Sequence, residues 1–214
     1  MLRHLISNPE DWVGAFRKLP NNLQLMTVHS LQSVAFNRTI KARIDAGISL
    51  SNPVAGDLVG RVDENGQLET SSMVAVEERT LSRISRNCML GRLVVTGQLP
   101  GATVARPEGQ FGEIENSVLE EMGLADTTWK VERIGRLTTK GTRRPLVTTF
   151  SEFQYESVPI AGGETMGDKW NDGVQEGDLW HPEGACIRFR FTLPSGSYAT
   201  TLLREFMRTP LHQL

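Results

Sequence analysis

The stretch that decides the fold is Phe191-Thr192-Leu193-Pro194-Ser195-Gly196-Ser197-Tyr198-Ala199-Thr200-Thr201-Leu202-Leu203-Arg204-Glu205. Just before it, Arg188 and Arg190 alternate with Ile187, Phe189 and Phe191, the period of a strand that buries one face and presents a basic one. Pro194-Ser195-Gly196 stops that strand. Ala199, Leu202, Leu203, Phe206 and Met207 then recur at helical spacing, with Arg204, Glu205 and Arg208 on other faces. This predicts a rigid strand-to-helix corner that holds its turn residues in place.

Working back along the chain, Leu25, Val28, Leu31, Ala35, Ile40 and Ile44 predict a helix over 24–46 that Gly47 ends, with Gln32, Asn37, Lys41 and Arg43 away from its apolar stripe. Asp63-Glu64-Asn65-Gly66 predicts a hairpin turn, because Asn-Gly tolerates the backbone such turns require. Short helices are expected over 81–90 and 113–122, and strands at 93–95, 130–134, 146–150 and 153–158. The Gly-rich stretch 161–184, with Trp170, Trp180 and His181, reads as an exposed loop anchored by its tryptophans.

The chain has 214 residues, 23 Lys+Arg against 25 Asp+Glu and a net charge of −2, so any RNA contact must come from local patches rather than a global basic field. Its apolar runs fall short of the roughly 20 residues a membrane span needs, and no membrane association is expected. Cys88 and Cys186 are far apart and lack metal-ligand spacing, which predicts reduced packing residues of a cytoplasmic protein and no metal site.

The corner sequence resembles the C-terminal signature of TruD-type tRNA pseudouridine synthases. Two further blocks match in the family's order. Val28-His29-Ser30-Leu31-Gln32-Ser33-Val34-Ala35-Phe36-Asn37 precedes Arg43 and Gly56-Asp57, and Gly141-Thr142-Arg143-Arg144-Pro145 follows. The family's catalytic Asp lies in a Gly-Thr-Lys-Asp-Lys-like motif, followed by an Asn-x-Phe-Gly motif, and neither occurs in this sequence. The resemblance implies an α+β protein. Residues 1–145 would be much of an α/β insertion domain, and 146–214 the C-terminal segment of a mixed-sheet catalytic core that returns near the Arg-Arg block.

It also implies a tRNA pseudouridine(13) synthase type of activity: isomerisation, without a cofactor, of a uridine in the D-arm region. That reaction needs a carboxylate and a slot for an unstacked base. With the Asp motif outside this sequence, the chain alone is expected to be inactive, and its exposed core edge to favour self-association. The alternative is a non-catalytic RNA-binding module on the same scaffold.

No catalytic residue is assigned within the chain. Asp57 and Asp63 are its candidate carboxylates, and a turn or cap role suits both better. Arg143 and Arg144 form a compact donor cluster suited to phosphate, or else a surface or salt-bridged pair. Tyr198 either faces the uridine pocket or is a buried corner tyrosine. Arg204 lines the cleft or pairs with Glu205 or Glu152. His29 reads as a hydrogen-bonded helix residue rather than a catalyst.

Overall fold

The computed structural model describes residues 1–158 and 186–207. The chain divides into two compact units, Met1–Val147 and Thr148–Leu214. Its described elements mix helices with antiparallel sheets, an α+β architecture.

The first unit opens with two short helices, α1 (Leu2–Ser7) and α2 (Trp12–Arg17). Asp11 caps α2 by accepting the Gly14 N–H at 2.8 Å. That bond, and then the hydrogen bond to His4, hold the Asp11 carboxyl below its ordinary value. The long helix α3 (Asn21–Asp45) follows, and the Ile48 N–H bonds back to the Arg43 carbonyl at its end.

Strands β1 (Leu58–Arg61), β2 (Val74–Ala75), β3 (Leu93–Leu99) and β4 (Thr142–Pro145) form an antiparallel sheet ordered β2-β1-β3-β4. Helices α4 (Glu78–Met89) and α5 (Gly109–Glu121) flank β3 in the chain. Phe36, Val59, Val76, Ile84, Val95, Phe111 and Leu146 form the apolar core between helices and sheet.

The segment entering β4 crosses the one leaving β3. Ala102 and Thr103 donate to the carbonyls of Thr139 and Lys140 at 3.0 and 2.9 Å. A Cβ on Gly101 would stand 2.0 Å from the Gly141 nitrogen, so two backbones touch where no side chain fits.

In the second unit β5 (Ser151–Val158) pairs antiparallel with β6 (Cys186–Thr192), Tyr155 opposite Phe189. Helix α6 (Ala199–Met207) brings Phe206 within 5.4 Å of Phe153 and 5.0 Å of Phe189, ring centre to ring centre. Between β6 and α6, Ser197 donates to the Pro194 carbonyl at 3.1 Å. Gly196 there has φ +84° with nothing within 4 Å of where a Cβ would lie. A positive φ, not crowding, is what demands glycine at this corner. Gly196→Val should therefore cost about 1–3 kcal/mol, read as a lower midpoint in thermal or urea unfolding. A variant as stable as the parent would mean the corner is not strained.

Three expectations are corrected. Residues 132–137 form a 3-10 segment rather than a strand over 130–134, burying Ile134 and Leu137 at a three-residue step. Residues 146–150 are not a strand: the ladder runs earlier, through the arginine block, and Leu146 closes it by donating to the Val95 carbonyl at 2.9 Å.

The apolar stripe expected to bury α3 is partly exposed, at 39% for Leu31 and 54% for Ile44, while Gln24, Gln32, Thr39 and Arg43 are buried beside Ala35 and Phe36. The expected loop 161–184, with Trp170, Trp180 and His181, lies outside the described residues, as does the side chain of Cys186. Cys88 is a free, half-buried thiol against the core, and burial raises its pKa.

Candidate functional site

Strand β4 carries the first candidate pair. It lies against β3 with Gln98 opposite Arg143 and Gly97 opposite Arg144, so the two arginines leave opposite faces of the sheet. Arg143 is 4% exposed. Its Nε donates to Thr96 Oγ1 at 3.0 Å, one terminal nitrogen to the Ala105 carbonyl at 3.1 Å and Glu115 Oε2 at 3.0 Å, and the other to the Thr96 carbonyl and to Glu115 Oε1 at 2.9 Å. A guanidinium has five N–H donors, and all five are engaged inside the protein. Of the two readings of Arg143, the geometry matches the salt-bridged one: the side chain braces α5 against the sheet.

Its partner Glu115 is 1% exposed and also accepts the Gln98 N–H at 3.1 Å. Burial pushes the Glu115 carboxyl above its ordinary value, and Arg143 opposes that shift without cancelling it. Sequence reasoning passed over Glu115. It follows Ile114 on an amphipathic helix, 28 residues from Arg143, where nothing local distinguishes it from Glu113 or Glu120. Arg144, half-buried, holds its guanidinium 5.3 Å from the centre of the Phe36 ring.

The upstream block is likewise built into the interior. Gln32 donates to the Pro100 carbonyl at 2.7 Å and to Thr139 Oγ1 at 3.1 Å, tying α3 to the Gly101–Gly141 crossing. Arg43 grips both oxygens of Asp57 at 2.7 and 2.8 Å, with each side chain fully buried. Asp57 also accepts the Val54 N–H at 2.8 Å, and the Phe111 ring lies 4.2 Å beneath the guanidinium. Asp63 organises its turn by accepting the Asn65 and Gln67 N–H groups. Neither carboxylate is disposed as a nucleophile: one is sealed in an ion pair, the other occupied by a turn. His29 and Asn37 are exposed on α3.

Tyr198 and Arg204 belong to the second unit. Tyr198 is 57% exposed at the start of α6, not buried in the corner. Arg204 is half-buried, its Nε has no hydrogen-bond partner, and among the described residues it forms no ion pair with Glu152 or Glu205. Glu152 instead accepts from Thr192 Oγ1 at 2.6 Å. Tyr155 is 71% exposed. Exposed rings beside arginines can stack on bases while cations meet phosphate. Among the described residues no cluster of His, Cys, Asp and Glu could hold a metal ion, and no helix is long and apolar enough to cross a membrane.

The chain is thus an α+β protein whose motif residues are locked inside the first unit, while its second unit exposes Tyr155 and Tyr198. The chain belongs to the TruD family: the family model "tRNA pseudouridine synthase D (TruD)" matches residues 1–206. A Methanosarcina mazei protein named "Probable tRNA pseudouridine synthase D" is 39% identical over 209 residues, covering 97% of this chain and 43% of the relative. A Thermococcus sibiricus protein of the same name is 30% identical, covering 92% and 41%. A crystal structure of a Methanosarcina mazei protein described as "Putative tRNA pseudouridine synthase D (TruD)" superposes with a TM-score of 0.76 at 36% identity, covering 99% of this chain and 44% of that one. The chain therefore spans less than half the length of these relatives.

Proposed function

We propose that this chain supplies the insertion domain, residues 1–145, and the C-terminal core segment, residues 146–214, of a cytoplasmic tRNA pseudouridine synthase acting on a uridine in the D-arm region. The observation that carries the reading is the match to the family model along residues 1–206. Within it, the buried motif residues Gln32, Arg43, Asp57 and Arg143 set the shape of the first unit, Arg144 of that unit contacts the RNA, and Tyr198 and Arg204 of the second unit line the uridine pocket. The nucleophilic carboxylate comes from the Gly-Thr-Lys-Asp-Lys-like motif that this chain lacks, so the chain alone does not turn over and no cofactor is required. The exposed rings of the second unit favour association with the segment that completes the core, or with a second copy.

Chemical mapping of pseudouridine in unmodified tRNA transcripts tests the reading. The 214-residue chain by itself should produce none. A chimera joining it to the part of the Methanosarcina mazei relative that it does not span should produce pseudouridine, and Arg204→Gln should reduce that turnover. Activity of the chain alone, or a folded chimera that binds tRNA without converting it, would overturn the division of labour. The second outcome would favour the non-catalytic RNA-binding module.

A further inference from the structure

The first unit carries a basic cavity that none of the motif residues lines. It holds about 400 Å³ between the end of α2, the start of α3 and the 3-10 segment, and is lined by Arg17, Asn21, Arg133, Ile134, Gly135 and Arg136. A second cavity shares Arg133 and Ile134 with it and brings in Lys130 and one carboxylate, Glu132. Four cations thus face one anion in a protein whose overall charge is −2.

The cavity is fastened from within. Gln24, fully buried, donates to the carbonyls of Leu19 at 2.6 Å and Arg17 at 3.3 Å, and accepts from an Arg136 terminal nitrogen at 2.5 Å. Arg17 in turn donates to the Arg133 carbonyl. These bonds hold two sequence-distant segments together, 17–24 and 133–136, yet use only one donor each of Arg17 and Arg136. None of Arg17, Arg133 and Arg136 is in an ion pair among the described residues. Glu132 and Asp11 are the nearby carboxylates, the latter within electrostatic reach of Arg17, and neither closes an ion pair with the three arginines. Exposed guanidinium groups that outnumber the carboxylates around them are a recognition element for phosphate oxygens, which accept their paired donors. The side chains are exposed, so a chain-like anion reaches them without opening the fold.

We infer that Arg17, Arg133 and Arg136 form a phosphate-binding subsite for the backbone of the RNA, separate from the cleft residues. The inference rests on the tRNA reading above and deepens it. Such a contact positions the RNA without reading its sequence.

The test is the salt dependence of binding by the purified chain, measured with a tRNA transcript and with a single-stranded oligouridylate. Arg133→Gln leaves the Gln24 bonds in place and should lower the slope of log affinity against log salt by about one, with a several-fold loss of affinity. Arg133→Glu should lose more, and Arg133→Lys should keep the slope. Arg92→Gln, which removes the same charge from a residue outside the cavity, is the control. If tRNA binds with a slope indifferent to Arg133→Gln and Arg133→Glu, or if Arg92→Gln has an equal effect, the subsite is refuted while the tRNA reading stands. Arg133-dependent binding of both RNAs without preference for tRNA would support the subsite and count against the tRNA reading. No binding of either RNA would overturn the subsite.

Discussion

Asp57→Ala should lower stability by about 3–5 kcal/mol, enough to unfold much of the population of a protein of ordinary stability. The carboxylate neutralises an Arg43 guanidinium that water does not reach. Without it the cation keeps the Ser49 carbonyl at 2.8 Å and the Phe111 face, neither of which carries a full negative charge. The Val54 N–H also loses its acceptor. Removing both charges should cost less than the sum of the single changes, because the dominant penalty is the unpaired ion. Urea unfolding of Asp57→Ala, Arg43→Met and the double variant measures this. A single-variant loss below about 1 kcal/mol would refute the buried pair as a structural element.

A loss of similar size, about 3–5 kcal/mol, is expected for Glu115→Ala, which strands Arg143 behind α5. This pair adds a dependence on pH. Burial raises the folded pKa of Glu115 above 4.5, so the folded protein holds that proton more tightly than the unfolded chain does. Glu115 therefore contributes a stabilising increment that is full below pH 4.5 and lost as pH rises through the raised value. The stability of the parent relative to Glu115→Gln should fall across that window and level off above it. A parent that instead gains on Glu115→Gln as pH rises would show that Arg143 outweighs burial. The two effects coexist because a protonated Glu115 still offers an oxygen to Arg143 and to the Gln98 N–H, whereas alanine leaves those buried donors with no acceptor.

The existence and C-terminal end of α3 could be read from sequence, whereas its start, three residues earlier than expected, and its buried face could not. Counting apolar residues put Leu31 and Ile44 inside, yet the groups that anchor the helix are Gln24, Gln32 and Arg43, each matched to a partner on another segment. Periodicity sees apolar side chains only and cannot see such long-range polar matches. The 3-10 segment was misread for a different reason, since a short apolar run fits strand and helix equally well. At the candidate site, the Arg-Arg dipeptide was visible but its geometry was not. A strand sends neighbours to opposite faces, so the apparent donor cluster divides into a buried brace and a half-buried ring contact. The cavity of Arg17, Arg133 and Arg136 left no mark at all, because its residues come from opposite ends of the first unit.

The contact between Gly101 and Gly141 acts as a pawl on the sheet. Strand β4 is only Thr-Arg-Arg-Pro, too polar for an apolar face to dictate how it aligns with β3. A slip of one residue would exchange Arg143 for Arg144 and leave Glu115 facing the wrong side chain. It would also bring the Cβ of Lys140 or Thr142 to the place of Gly141, where a Cβ would lie 2.6 Å from the Gly101 nitrogen. Misalignment is thus blocked by bare backbone before any charge has to choose its partner.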